Sequence, residues 1–192
     1  MTDLDFLRRH VMRLRHQEWF NTQPRLTHIS VAEHLFLTAA TAFLLAPDDA
    51  EAIKAALFHD LEEGFTGDVS ALAKRLDGSV KKAWNGLKSV VMLEIIDPPD
   101  AVFAAWDNAQ TNKVVKAADL LVMWMYAMEE VEMGNESIKY VCYIVETWLH
   151  KLITANAIPE SVIVAYEQVM NENKKRGVRK GCVPEEYERL LA

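Results

Sequence analysis

The chain has 192 residues, 51% of them apolar, with only 7 Gly and 6 Pro. It is long enough for one well-cored domain and is biased toward helix by its Ala, Leu, Glu and Met. A formal charge of −7 argues against generic binding to the phosphate backbone of long nucleic acid. It leaves room for a small anionic substrate, because one metal and a few cations can reverse the local field. Cys142 and Cys182 are too few and too far apart to form a disulfide framework. The opening residues lack the basic stretch of a signal peptide, and the longest apolar run is interrupted by Asp119 and too short to span a bilayer. The expectation is a cytoplasmic protein with no membrane partner.

Apolar residues recur at spacings of three and four almost throughout, and strand-like alternation is nowhere sustained. A first helix is expected over 4–16, followed by an irregular segment over 19–29 with Asn21, Thr22, Gln23 and Pro24 as breakers. Ser30 with Glu33 forms a capping box that opens a helix running to residue 45. Asp48 with Glu51 repeats the pattern before a helix ending near residue 61. Gly64 and Gly67 flank a tight loop, with helices following over 68–76 and 79–96. Pro98-Pro99 breaks the chain before more helix, then a long one covers 111–133 and stops at Gly134-Asn135. Helices over 136–155 and 159–173, a basic connector over 174–180 and a short terminal helix complete an all-α single domain over 1–192.

His59-Asp60 is the most informative pair. Neighbouring His and Asp side chains at the end of an apolar helical run can approach one divalent cation from two angles. His34 lies upstream in the first turn of its helix, beside Glu33, which is better explained as a cap than as a ligand. Asp119 lies downstream, with Val115, Val122 and Met123 as its three- and four-spaced neighbours. An unpaired carboxylate on that face would cost several kcal/mol or take up a proton, so it should meet a cation, either a metal or an inter-helix partner. Lys113 and Lys116 read as poorly placed to serve from the same helix face. Of the adjacent Glu62 and Glu63, one must point away; the expectation is a solvated Glu62 and an inward Glu63. Asp68 follows in the loop, and Lys74 could reach a phosphate or be an ordinary surface lysine.

Val31-Ala32-Glu33-His34, His59-Asp60-Leu61-Glu62-Glu63, Thr66-Gly67-Asp68 and Lys116-Ala117-Ala118-Asp119 stand in this order. They resemble the successive motifs of HD-domain phosphohydrolases, most of all the 5'-deoxynucleotidase branch and its bacteriophage relatives, which include dATP triphosphohydrolases. The resemblance covers about 19–135, with Glu129-Glu130 and Gly134-Asn135 echoing the family after the last motif and helices 136–192 beyond it. It implies one divalent transition metal (Zn, Mn, Fe or Co) on His34, His59, Asp60 and Asp119, with further Mg or Mn if the substrate is a polyphosphate. It also implies Glu63 as the group that orients the attacking water, Asp68 as a second acid near the phosphate, Lys74 as a phosphate contact and Trp19 as the residue that packs on a deoxyribose.

Two positions depart from the family pattern. Glu18 stands where an Arg clamps the phosphate, so Arg15 or Arg25 would have to take over that charge, and Ser70, Ala71 and Leu72 stand where prolines are usual. The reading is therefore a 5'-deoxynucleotidase acting on a small deoxynucleotide, with a dNTP triphosphohydrolase and a non-catalytic nucleotide-binding scaffold as alternatives. The surplus of large apolar side chains on helix faces suits a homodimer.

Overall fold

The computed structural model describes residues 2–69 and 78–191, and among these there is no strand, only an isolated antiparallel bridge between Glu18 and Ser30. Helix α1 (Asp3–Arg9) starts at Thr2, whose hydroxyl accepts the Asp5 amide. The single helix expected over 4–16 is broken at His10 and continues as a 3-10 segment, Val11–His16. The tighter winding seats buried Leu14 against Gly64, where an added Cβ would stand 3.3 Å from the Leu14 side chain.

Helix α2 (Val31–Leu45) opens on the expected capping box: Ser30 Oγ accepts the Glu33 amide at 3.2 Å and Glu33 Oε2 accepts the Ser30 amide at 2.7 Å. Helix α3 (Ala50–Phe58) is capped by Asp49 rather than Asp48, and Glu51 reaches forward to Lys54 at 2.7 Å instead of back to a cap. It stops at Phe58, so His59 and Asp60 stand just past the last turn, before the short α4 (Glu63–Thr66). Gly67, at φ 71, turns the chain where any larger residue would be strained.

Asp68 and Val69 are not helical, and the remainder of the helix expected over 68–76 falls outside the described residues. Helix α5 (Gly78–Val90) runs into a π-wound turn, Val91–Ile96, that ends at left-handed Asp97 ahead of the two prolines. After α6 (Asp100–Ala109), Asn112 caps α7 (Lys113–Glu132) by accepting the Val114 and Val115 amides at 2.9 and 3.2 Å. A 3-10 turn, Glu136–Ile138, leads into α8 (Lys139–Ala155), then α9 (Glu160–Lys175), which absorbs the start of the expected basic connector. Two 3-10 segments, Lys180–Cys182 and Glu185–Leu191, follow.

Helix α7 is apolar on nearly every face because it is the central element, packed by α2, α3 and α8. One core cluster joins α7 to α3, α8 and α9; a second gathers Phe6, Leu14, Trp19, Leu35, Met92 and Trp106 under the N-terminal segment. The candidate site lies along the seam between them. Glu130 of α7, fully buried, closes that seam by accepting the amides of Leu26 and Thr27 at 2.6 and 2.7 Å, the Thr27 hydroxyl at 2.6 Å and Asn135 Nδ2 at 2.8 Å. Each such bond to a carboxylate is worth about 1.5–3 kcal/mol. The irregular segment preceding α2 is thereby fixed to the far end of α7.

No helix among the described residues is long and apolar enough to cross a membrane.

Candidate metal centre

Donor atoms of His34, His59 and Asp119 all lie within 4.8 Å of one another, and Asp60 stands beside the two histidines. His34 comes from the first turns of α2, His59 and Asp60 from the exit of α3, and Asp119 from the second turn of α7. His34 Nε2 lies 3.1 Å from His59 Nε2, 3.7 Å from Asp60 Oδ2 and 3.5 Å from Asp119 Oδ1. His59 Nε2 lies 3.1 Å from Asp60 Oδ2 and 4.0 Å from Asp119 Oδ1. Donors bound tetrahedrally at about 2.0–2.1 Å would stand roughly 3.4 Å apart, so these spacings suit a single small cation.

The chemistry of the donors fits as well. His59 Nδ1 lies 2.8 Å from the Ala56 carbonyl and so carries the proton that it donates, which leaves the Nε2 lone pair facing the cluster. The His34 ring is held differently: the Trp19 indole stacks on it at 4.1 Å between centroids and 11° between planes.

Burial works to raise the Asp60 carboxyl, but His59, His34 and Lys88 outweigh it and hold it well below the ordinary carboxylate range. Burial likewise opposes ionisation of Asp119, and Lys116 first, then His59 and His34, overcome it. Burial is the largest single influence on the His59 imidazole and disfavours the cation, but Asp60, Asp119 and the Ala56 carbonyl together outweigh it, so its pKa is raised. Two ionised carboxylates facing two imidazoles are the donor set that a borderline divalent ion requires.

Lys116 corrects one expectation. Its Nζ reaches Asp119 Oδ2 at 2.5 Å from three residues back, because a long flexible side chain spans one helical turn readily. Glu62 corrects another. It is fully buried, accepts Trp106 Nε1 at 2.8 Å and is ion-paired with Lys88, whose Nζ also lies 3.9 Å from Asp60 Oδ1. Glu63 is buried too, so neither glutamate is solvated. The turn at the exit of α3 presents the two carboxylates to different partners, Glu62 toward α5 and α6 and Glu63 toward a cavity.

That cavity, about 340 Å³, opens on the cluster and is lined by Trp19, His59, Asp60, Glu63, Asp68 and Asp119. Lys81, Lys88 and Lys116 supply its positive charge. The arginines expected there are elsewhere. Arg15 lies beside Arg8, Arg9 and Arg13 on another part of the surface, its Nε donating to His16 at 3.0 Å. Arg25 pairs with Glu18 and donates to the Trp19 carbonyl at 2.7 Å. It therefore braces the segment that carries the indole and neutralises the carboxylate that would repel phosphate. Lys74 lies outside the described residues.

Asp68 accepts the Phe20 amide at 2.6 Å. Phe20 sits at φ 59, a backbone region costly for an aromatic residue, and this bond helps to hold it there.

The i,i+3 spacing of Lys116 and Asp119 was available as a sequence signal for that pair. Lys88 gave none, since its partners are 26 and 28 residues away in sequence, at Glu62 and Asp60.

A helical bundle that joins an adjacent His-Asp pair to a histidine of an earlier helix and an aspartate of a later one has the layout of an HD domain. The chain belongs to the 5'-deoxynucleotidase YfbR-like family, which matches residues 4–162. The match extends beyond the 19–135 read from the motifs, on both sides. A 5'-deoxynucleotidase YfbR of Salmonella arizonae is 27% identical over 94 residues, 44% of this chain and 47% of the relative. The protein of the same name from Salmonella typhi is 26% identical over 94 residues, with the same shares. The chain thus spans about half the length of the curated relatives it matches.

Proposed function

We propose that this chain is a metal-dependent 5'-deoxynucleotidase that converts a deoxynucleoside monophosphate and water to deoxynucleoside and phosphate. The observation that carries the reading is the cluster of His34, His59 and Asp119, with Asp60 beside both histidines, next to a cavity that Glu63 and Trp19 also line. Membership of a family described as 5'-deoxynucleotidase YfbR-like supports it. A divalent ion on those four side chains would supply the positive charge that polarises a phosphoryl oxygen and makes water a better nucleophile.

The chain's own residues do the rest. Glu63, buried at the cavity wall, accepts the proton of the attacking water as its oxygen bonds to phosphorus and the bond to the sugar oxygen breaks; Glu63 then gives up that proton, and the departing oxygen takes it up, directly or through solvent. Asp68 lines the cavity as the second acid near the phosphate, and by accepting the Phe20 amide it also positions the segment that carries Trp19. Lys88 and Lys116 are each already matched to a carboxylate, Glu62 and Asp119. Among the described residues, the charge left over suits one phosphoryl group better than three.

Phosphate release from a panel of deoxynucleoside monophosphates, with Mn, Co, Mg or Zn added, tests the reading. Turnover of at least one supports it. Release of intact triphosphate from dNTPs alone would make the chain a triphosphohydrolase, and stoichiometric binding without turnover would make it a scaffold. Replacing Glu63 with Gln is expected to leave metal content unchanged and lower kcat by about 10²–10⁴-fold, the usual worth of a positioned base. Metal content measured alongside rate decides this, since loss of metal would make Glu63 a ligand.

Trp19 presents its indole between His34 and the cavity, where a 2'-hydroxyl would be pressed against carbon with no partner. An apolar wall of this kind discriminates against an added hydroxyl by up to about a hundredfold. Trp19→Ala is expected to bring the kcat/KM ratio of deoxy- to ribonucleotide toward one. An unchanged ratio would remove Trp19 from sugar selection.

A further inference from the structure

The cavity has two chemically distinct ends. The polar end holds the metal donors, Glu63 and the lysines. The other end is walled by Met123 of α7, by Tyr140, Ile144 and Trp148 of α8, and by Tyr187 of the C-terminal 3-10 segment Glu185–Leu191. A phosphate would gain nothing there, and a flat uncharged ring would gain burial against apolar and aromatic faces.

The aromatic wall is organised rather than incidental. Tyr140 and Tyr187 have ring centroids 4.7 Å apart, inclined at 37°. The Tyr140 hydroxyl donates to Gln23 Oε1, which ties α8 to the segment carrying Trp19 and brings a side-chain amide to the cavity edge. The terminal segment is pinned onto α8 by Lys151 Nζ, which donates to the Leu191 carbonyl at 2.7 Å, and turns through a bond from the Tyr187 amide to the Pro184 carbonyl at 2.9 Å. Tyr187 and its segment lie beyond residue 162, where the match to the family ends, whereas Met123, Tyr140, Ile144 and Trp148 lie within it.

We infer that Tyr140, Trp148 and Tyr187 form the nucleobase subsite, with the C-terminal segment closing it and the Gln23 amide available to the base edge. The inference rests on the deoxynucleotide reading and adds to it a specificity element whose closing residue, Tyr187, comes from outside the family-matched region. The base stacks on the aromatic wall, the sugar passes Trp19, and the phosphate reaches the lysines and the metal donors. Removing one aromatic stacking partner typically weakens binding by about tenfold per base.

The test compares deoxyadenosine 5'-monophosphate with 2-deoxyribose 5-phosphate, which lacks a base, on the metal-loaded full chain. Tyr187→Ala is expected to raise KM for the nucleotide about tenfold while leaving kcat and the KM for 2-deoxyribose 5-phosphate unchanged, and Tyr187→Phe to behave as the parent. A KM that does not move for the nucleotide, or moves equally for both substrates, overturns the subsite. If neither compound is hydrolysed, it is the hydrolase reading that fails. The subsite is then judged by titrating intrinsic tryptophan fluorescence with deoxyadenosine: saturation weakened about tenfold by Tyr187→Ala upholds it, and no saturable binding to the parent overturns it.

Discussion

Replacing His59 with Ala is expected to abolish metal retention and phosphate release together while the chain stays folded. The imidazole lies 3.1 Å from His34 Nε2, 3.1 Å from Asp60 Oδ2 and 4.0 Å from Asp119 Oδ1, and its loss leaves a single histidine for the two carboxylates. Loss of a residue that merely supports a ligand commonly lowers metal affinity by 10–100-fold, so loss of a ligand should exceed about a hundredfold. Bound metal measured by mass spectrometry after dialysis, activity on the nucleotide panel and circular dichroism give three separate readouts. Activity that survives with helicity intact would place the chemistry elsewhere.

The second large effect is on stability. Glu62→Ala removes the nearer of the two carboxylate partners of Lys88, whose side chain is 12% exposed, leaving Asp60 at 3.9 Å, and strips Trp106 Nε1 of its acceptor. Breaking one half of a buried ion pair typically costs about 3–5 kcal/mol, because the remaining charge keeps its desolvation penalty and loses its compensation. For a domain of this size that lowers Tm by roughly 6–20 °C. The double variant Glu62→Ala/Lys88→Met should recover part of the loss, since an apolar pair in the same volume carries no stranded charge. Thermal and urea unfolding of the single and double variants check this. A double variant less stable than Glu62→Ala alone would show that Lys88 contributes through something other than this pair.

The sequence revealed most where structure is set by neighbours along the chain. The capping box of Ser30 and Glu33, the stop at Gly134 and the uniformly apolar α7 are local signals, and each element formed as its residues require. Asp119 was legible as a carboxylate in need of a cation because its own helix surrounds it with apolar groups. The failures were of another kind. Glu62 read as solvated because a charged pair at a helix end is usually exposed; its burial follows from Trp106 and Lys88, which approach from α6 and α5. Arg25 read as a phosphate contact because charge alone suggested it, whereas hydrogen bonds to Glu18 and to the Trp19 carbonyl commit its guanidinium to the loop. Helix ends shifted for a similar reason: Asp48 and Asp49 are equivalent as types, and only the approach of the Ala52 amide selects the second.

Trp19 and His34 share one ring face. The surface proposed to sense the sugar is therefore in direct contact with the side chain proposed to hold the ion. A ligand that displaced the indole would disturb the imidazole behind it, and occupancy by the ion and by the nucleotide would then be linked, each altering the other's affinity by the same factor. A sugar that seats badly against the tryptophan would then loosen the ion as well, and a substrate that fits would tighten it.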